Sequence, residues 1–319
     1  MERKNLLERA LEGQNQWWKY LLIFLVAIFG GQLIGGIPLA IAIVVKVISS
    51  GGGIEGLNFS NLSDVWGFGL SNNLTFGLLM LAPLMTLVLA IILIKAMHGR
   101  TFAETVNGTK SIRWNRTLFA FVIWFALMAV YLTVDYFWHT DNYVLQLDWG
   151  KFIVLFVISV LLVPLQTTSE ELLFRGYLAQ GIGAGTRSRL WAWIIPSVIF
   201  GLFHILNPEV TKYGFLLAMS QYFFFGFLFG LIAILDDGIE LTMGLHAANN
   251  LFLALFVTNP ASVFQTEAVF SVKEINPVLD LISLIIIGSI VFFIFYKKYN
   301  WNFKLMNKKV EIQQINNNF

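Results

Sequence analysis

Eight long apolar segments constrain the fold of this chain more than any other feature. An α-helix needs about 20 apolar residues to cross the hydrocarbon core of a bilayer. The apolar segments cover residues 20–45, 74–94, 117–137, 152–169, 190–206, 213–235, 241–258 and 277–296. The sequence therefore predicts an all-α fold, a polytopic transmembrane helix bundle of about eight spans that forms a single integral membrane domain over residues 1–319.

The composition agrees with a chain surrounded by lipid. Only 13% of the residues are charged and 57% are hydrophobic, whereas soluble domains carry about 25% charged residues. The chain has no cysteine, which excludes disulfides and cysteine-ligated metal sites. The net charge of +2 is too small to indicate a nucleic-acid partner. We therefore expect the lipid bilayer, and no nucleic acid, to surround this protein.

Basic residues are distributed unevenly between the segments that connect the apolar runs. If the N-terminus is cytoplasmic, 17 of the 21 Lys and Arg residues lie on the cytoplasmic side. Only Lys46, Lys151, Lys212 and Lys273 lie outside. This positive-inside bias predicts an even number of spans with both termini in the cytoplasm. Residues 299–319 are then a cytoplasmic tail, and its end, EIQQINNNF, is predicted to be disordered.

Polar residues inside the apolar helices are rare, and they occur in pairs. A charged side chain within a membrane costs several kcal/mol and usually has a function. Residues four apart share one face of a helix. Three such pairs occur on successive helices: Glu171 and Arg175, Phe200 and His204, and His246 and Asn250. The pattern predicts one polar cavity, although Glu171 and Arg175 also suit a structural ion pair within one helix. Glu170 points roughly 100° away from Glu171 around the helix axis, so Arg175 cannot neutralise both carboxylates equally well. The Glu170 carboxylate is therefore available for another role.

These residue types suit the hydrolysis of an amide bond by an activated water. A carboxylate such as Glu170 with an imidazole such as His204 can deprotonate water. His246 and Asn250 can donate hydrogen bonds to a developing oxyanion. The chain lacks the HExxH, GxSxG-like and GxGD motifs of other intramembrane proteases. We therefore expect no cofactor, but zinc held by Glu170, His204 and His246 remains an alternative.

The ordered motifs EExxxR, FxxxH and HxxxN resemble those of the CAAX-processing and bacteriocin-processing (CPBP, or Abi) family of intramembrane proteases. The resemblance covers about 100 residues within the motif-bearing core 152–258. It implies that Glu170 and His204 activate water and that His246 and Asn250 stabilise the oxyanion. Glu171, Arg175 and Phe200 would support the site. The family fold implies a helical bundle with a polar cavity toward the cytoplasmic side or the bilayer.

Three functions fit the sequence. The first is an intramembrane endopeptidase acting on a membrane peptide or protein, with bacteriocin processing or immunity among the roles that the resemblance suggests. The second is a transporter in which buried Glu and His relay protons. The third is a non-catalytic immunity or scaffold protein. The composition, rich in Lys, Ile, Asn and Phe, indicates a bacterial plasma-membrane protein.

Two further expectations concern depth and exposure. His204 lies about 21 Å along its helix from Leu190, whereas His246 lies only about 9 Å from Glu240, so straight helices would place the two histidines at different depths. A kink at Pro196, or residues 190–193 lying along the membrane interface, would allow them to meet. Pro164 could similarly let the helix that bears Glu170 change direction. Asp236 and Asp237 lie in a short predicted loop and are expected to be solvated.

Overall fold

The computed structural model describes residues 5–51 and 62–312. Residues 52–61 and 313–319 lie outside the described residues, and the latter contain most of the tail end that is predicted to be disordered. The helices are α1 (Trp17–Ser49), α2 (Asn72–Leu79), α3 (Leu81–His98), α4 (Phe102–Asn107), α5 (Trp114–Trp138), α6 (Trp149–Glu171), α7 (Ala179–Thr186), α8 (Arg189–Leu202), α9 (Pro208–Tyr213), α10 (Phe215–Asp236), α11 (Glu240–Phe256) and α12 (Pro277–Lys298). A π-helical segment, Leu172–Leu178, joins α6 to α7.

Polar caps fix several helix starts at the borders of the apolar runs. The caps accept backbone N–H groups of the first turn, which have no partner inside a helix. They are Ser71, Thr101, Asp148, Ser188 and Asn276, before α2, α4, α6, α8 and α12.

The short strands β1 (Tyr143–Leu145), β2 (Val257–Thr258) and β3 (Phe270–Val272) form one small sheet in the order β1-β3-β2.

The predicted polytopic helical bundle is confirmed, and each predicted span contains a helix. Six segments of the described chain are long and apolar enough to cross a membrane: Trp17–Ser49, Asn72–His98, Trp114–Trp138, Trp149–Thr186, Phe215–Asp236 and Pro277–Lys298. The helices at the fifth and seventh predicted spans are shorter, because α8 has 14 residues and α11 has 17. Large apolar side chains such as Leu33 and Phe137 are exposed on the outside of the bundle. This is an integral membrane protein.

Segments near both ends of the chain meet at one end of the bundle. Leu6 and Leu7 pack against Val310 and against Ala179 and Ala192 of α7 and α8. We call this the basic end, and we call the opposite end, where β1, β2 and β3 lie, the far end. Leu6 and Val310 therefore lie at the same end of the bundle.

Glycines allow two pairs of helices to approach closely. A Cβ atom on Gly31 or Gly35 of α1 would overlap the backbone of Thr86 or Ala82 in α3. A Cβ on Gly226 of α10 would lie 2.6 Å from the carbonyl oxygen of Ser197 in α8. Gly31 and Gly35, four residues apart, therefore mark a contact between α1 and α3, as expected for small residues in membranes.

Asp236 is not solvated, contrary to the expectation from the sequence. It is buried at the basic end, where its carboxylate pairs with Arg116 and lies 3.3 Å from Arg113 Nη2. Trp301 Nε1 donates to it at 3.3 Å. Asp237 accepts the backbone N–H of Leu6 at 2.7 Å. The loop between α10 and α11 is short, but segments distant in sequence fold over it and supply partners.

A cavity of about 1150 Å³ opens inside the bundle. Its lining runs from Glu170 and His246 in the middle of the molecule to His139 and Asn276 at the far end. Residues of the basic end do not line it within the described chain. If the termini are cytoplasmic, this cavity lies in the outer half of the bundle, whereas the family resemblance implied an opening toward the cytoplasmic side or the bilayer. The physical reason is that the N-terminal segment and α4 pack beneath the motif residues and close the basic end.

Candidate active site

The EExxxR motif lies where α6 changes into the π-helical segment. Glu170 and Glu171 are the last residues of α6, and Arg175 lies inside Leu172–Leu178. A π-turn is rare in proteins and is frequent at functional sites. Gly176 is needed here because a Cβ would lie 2.9 Å from the backbone oxygen of Thr105 in α4.

Glu171 is fully buried and its Oε1 atom has two partners. Arg175 Nη1 lies 2.9 Å from it, and His246 Nδ1 lies 2.8 Å from it. Both carboxylate and guanidinium are buried. Since a carboxylate only accepts hydrogen bonds, the proton on the His246 ring sits at Nδ1 in this contact. The ion pair predicted from the spacing is therefore present. The second contact of Glu171, with His246, joins α6 to α11.

Glu170 has a different environment from its neighbour. Its Oε1 accepts a hydrogen bond from Gln166 Nε2 at 2.5 Å. Its Oε2 lies 3.8 Å from His246 Nε2 and has no hydrogen-bond partner among the described residues. Glu170 lines the cavity, and its side chain is 26% exposed. One carboxylate oxygen is thus held by Gln166, and the other is buried beside the His246 ring.

His204 lies just after α8, in a turn that leads to α9. Its Nδ1–H donates to the carbonyl oxygen of Phe200 at 2.8 Å, so Nε2 carries the free lone pair of the neutral ring. Tyr222 stacks on the ring with a centroid distance of 4.3 Å. These contacts fix both the tautomer and the plane of His204.

Phe200 connects the three motifs. The Arg175 guanidinium lies 3.8 Å from the centre of the Phe200 ring. The same ring lies 4.6 Å from the His204 ring and 6.2 Å from the His246 ring, centre to centre. Cation–π and edge contacts of this kind stabilise a buried guanidinium. Phe200 therefore sets the spacing between the two histidines.

Asn250 belongs to an amide network that extends from α5 to α6. Its Nδ2 donates to Gln166 Oε1 at 3.1 Å, and its Oδ1 accepts from Asn249 Nδ2 at 3.1 Å. Trp124 Nε1 donates to Asn249 at 3.2 Å. Gln166 thus connects Glu170 to Asn250. The sequence interpretation missed Gln166, Asn249 and Tyr222, although Gln166 lies four residues before Glu170 and therefore on the same helix face.

The structure brings Glu170, His204, His246 and Asn250 to the wall of one cavity. The two histidines contact the same Phe200 ring, so the difference in depth expected from the sequence does not occur. The reason is the position of the start of α11. The backbone N–H of Ile239, just before α11, donates to the carbonyl oxygen of Val106, a buried residue of α4. α11 therefore begins inside the bundle, beyond α4.

Zinc held by Glu170, His204 and His246 is the alternative to metal-free chemistry. No group of three or more His, Cys, Asp or Glu side chains that could hold a metal ion occurs within residues 5–51 and 62–312. The Nδ1 atoms of both histidines are hydrogen-bonded to protein atoms, which leaves Nε2 of each ring as the atom that could bind a metal ion.

The chain was compared with known proteins. Residues 149–252 match the model of the Rce1-like family, described as type II CAAX prenyl endopeptidase Rce1-like. The chain is 32% identical over 289 residues to the uncharacterized protein YyaK of Bacillus subtilis strain 168, covering 86% of this chain and 90% of that protein. No solved structure matches the chain. Together with the three motifs around one cavity, these matches show that the chain belongs to the Rce1-like family of CPBP intramembrane endopeptidases.

Proposed function

We propose that this protein hydrolyses a peptide bond in a membrane-associated peptide or protein by a water that Glu170 and His204 activate. The observation that carries the proposal is the difference between two adjacent carboxylates. Glu171 is buried against Arg175 and His246, whereas Glu170 lines the cavity and its Oε2 lies beside His246 Nε2 without a hydrogen-bond partner among the described residues. In this proposal Glu171 supports the fold, and Glu170 is the residue that activates the water.

Glu170 Oε2 is the proton acceptor of the proposed reaction. His204 Nε2 accepts a hydrogen bond from the same water and helps to orient it. Water bound between them loses a proton to Glu170 as its oxygen attacks the carbonyl carbon of the substrate. The carbonyl π electrons move to oxygen and give a tetrahedral oxyanion. Glu170 then returns the proton to the leaving nitrogen as the C–N bond breaks. The hydrogen bond from Gln166 keeps the Glu170 carboxylate in one orientation.

His246 and Asn250 are the proposed donors to the oxyanion. When doubly protonated, His246 donates through Nε2–H, because its Nδ1–H is held by Glu171. Asn250 gives one amide hydrogen to Gln166 and keeps a second for the substrate. Donors fixed in advance stabilise the transition state most when they point to the developing charge.

We propose further that the reaction needs no metal ion and that both termini face the cytoplasm of a bacterial cell. Five arginines at the end where Leu6 meets Val310 support this orientation: Arg9, Arg100, Arg113, Arg116 and Arg189. Protease digestion of a tag at each terminus, in intact and in permeabilised cells, tests it. Digestion of either tag in intact cells would contradict it.

The central test is peptide cleavage by the purified protein in nanodiscs. Wild type is compared with Glu170→Gln and Asn250→Ala, each with and without a metal chelator. Glu170→Gln keeps the oxygen that accepts from Gln166, so its melting temperature should stay unchanged while its cleavage rate falls at least about 100-fold. Glu267→Gln, at the far end and outside the cavity, is the matched control. A Glu170→Gln protein that cleaves at the wild-type rate would refute the mechanism and favour a binding or transport role.

A further inference from the structure

The cavity extends well beyond the residues that carry the proposed chemistry. From Glu170 and His246 it continues past Tyr222 and Phe252 to the mouth formed by His139 and Glu274 at the far end. Its volume of about 1150 Å³ exceeds the roughly 300–1,000 Å³ of a small-molecule pocket. It can therefore hold a peptide segment of several residues.

Apart from its histidines, the wall of this cavity carries charge of one sign. Among the lining residues that the structure describes there are five carboxylates and no Lys or Arg: Asp135, Glu170, Glu209, Glu274 and Asp280. Ten Phe and Tyr side chains also line it. Carboxylates and aromatic faces both attract cations, more strongly where water is excluded. The wall is thus complementary to a positive charge.

The contacts of these carboxylates do not neutralise them. Asp280 accepts from the Tyr131 hydroxyl at 2.8 Å, and Asp135 accepts from the Tyr143 hydroxyl and from His139 Nδ1. Glu209 Oε1 accepts the backbone N–H of Val263 at 2.9 Å, and its Oε2 is buried with no partner among the described residues. Hydroxyl and amide donors solvate a carboxylate but do not add a positive charge, and His139 adds one to Asp135 only when it is protonated.

The lysines of the far end lie outside the cavity. Lys151 pairs with Glu267 at 3.4 Å, and Lys273 donates to the backbone oxygen of Asp141 at 2.7 Å. Glu274 is exposed at the mouth, where Asn142 holds its backbone. The positive charge that would balance the cavity is therefore left to a bound molecule.

We propose that the cavity binds a cationic peptide segment, with Lys or Arg close to the scissile bond, that enters from the far end. This inference deepens the proposed function and rests on it, since it names the substrate class of the same site. With cytoplasmic termini, the peptide enters from the outer side of the membrane. The carboxylates at Glu209 and Glu274 bind its positive charges while the apolar part lies along the aromatic wall.

The test uses three fluorescent peptides with one apolar sequence and a Lys-Lys, Gln-Gln or Glu-Glu pair next to the same bond. Binding is measured by anisotropy with the Glu170→Gln protein in nanodiscs, which separates binding from cleavage. We expect the Lys-Lys peptide to bind at least tenfold more tightly than the Glu-Glu peptide. In the same background, Glu209→Gln and Glu274→Gln should each weaken Lys-Lys binding about 3- to 10-fold and leave Gln-Gln binding unchanged. Glu267→Gln should change neither.

Equal affinity for the three peptides, or equal effects of Glu209→Gln and Glu267→Gln, would overturn the cationic preference. If the Lys-Lys peptide binds but wild type cleaves none of the peptides, the proposed hydrolysis fails and the binding inference stands. If wild type cleaves all three equally well, the proposed hydrolysis stands and the binding inference fails.

The direction of access needs a separate measurement. Proteoliposomes are sorted by whether a tag at the N-terminus is accessible to protease from outside, and the Lys-Lys peptide is added outside. Cleavage should occur only in vesicles whose N-terminal tag is protected. Cleavage only in vesicles with an accessible tag would show that substrate enters from the basic end.

Discussion

The Nδ1 atom of His246 lies 2.8 Å from Oε1 of Glu171, and this contact determines which nitrogen of the ring faces the cavity. Because the carboxylate holds Nδ1–H, the ring presents Nε2 to Glu170, 3.8 Å away. A buried side chain next to the proposed base thus sets the orientation of a proposed oxyanion donor on another helix. The two adjacent glutamates should therefore respond differently to mutation.

Glu171→Gln should destabilise the protein, in contrast to Glu170→Gln. It leaves the buried Arg175 without a counter-ion, and removing one partner of a buried ion pair costs about 3–5 kcal/mol. Thermal unfolding of both variants in nanodiscs measures the difference. Equal melting temperatures for the two would show that the Glu171 pair does not support the fold.

Gln166→Leu should lower the cleavage rate about tenfold or more. The change removes the hydrogen bonds to Glu170 and Asn250 at once, while the volume of the side chain stays similar. A positioning role predicts a lower kcat with little change in KM. Gln166→Glu offers a control that keeps an acceptor for Asn250 but adds charge beside Glu170. A loss confined to stability, with kcat unchanged, would contradict the positioning role.

Gly35→Ala should destabilise the contact between α1 and α3 by about 1–3 kcal/mol. A Cβ there overlaps the backbone of Ala82, and backbone atoms cannot move aside without a shift of the helix. Gly36→Ala is the matched control, because a Cβ at Gly36 meets no described atom within 4 Å. Its effect should be neutral or slightly stabilising. Equal shifts in melting temperature would argue against a close helix contact.

Glu104→Gln should reduce stability at neutral pH but not in acid. Burial by itself raises the pKa of Glu104, but hydrogen bonds from Thr101 and the charges of Arg9 and Lys95 hold it below its ordinary value. Arg9 Nη2 lies 2.6 Å from Glu104 Oε1. Since the folded-state pKa is depressed, this stabilisation is present above the ordinary pKa and is lost as the pH falls through the folded-state value.

The expected cost of Glu104→Gln is about 1 kcal/mol at pH 7, typical of a capping contact or a partly exposed pair. Melting temperatures of wild type and variant should differ at pH 7 and converge below about pH 4. A difference that stays constant between pH 7 and pH 3 would rule out this role of the Glu104 charge.

Much of the bundle could be predicted because periodic and apolar patterns are local. The spacing of Glu171 and Arg175 predicts their contact, since four residues make one helical turn. Gly31 and Gly35 mark a helix contact for the same reason. The motifs also indicate that Glu170, His204, His246 and Asn250 line one cavity.

The remaining features depend on segments that are distant in sequence. A single polar residue in an apolar helix, such as Gln166, does not reveal its partner on another helix. Asp236 looked solvated because its loop is short, yet Arg113 and Trp301 reach it from elsewhere. The depth of α11 depends on α4, whose position no local pattern of α11 encodes. For the same reason, the sequence did not show to which end the cavity opens.

The π-helical segment also sets the helical phase of everything that follows it. Gln180, one turn beyond Gly176, accepts from Arg100 at 2.9 Å and donates to the Glu104 backbone at 3.0 Å. Because a π-turn contains more residues than an α-turn, deleting one residue within Leu172–Leu178 would restore the α-helical pitch. Glu170 would stay in the cavity, but Gln180 would rotate away from Arg100. The length of this segment is therefore as constrained as its composition, because it keeps Glu170 at the cavity and Gln180 at the basic end of one continuous span in register.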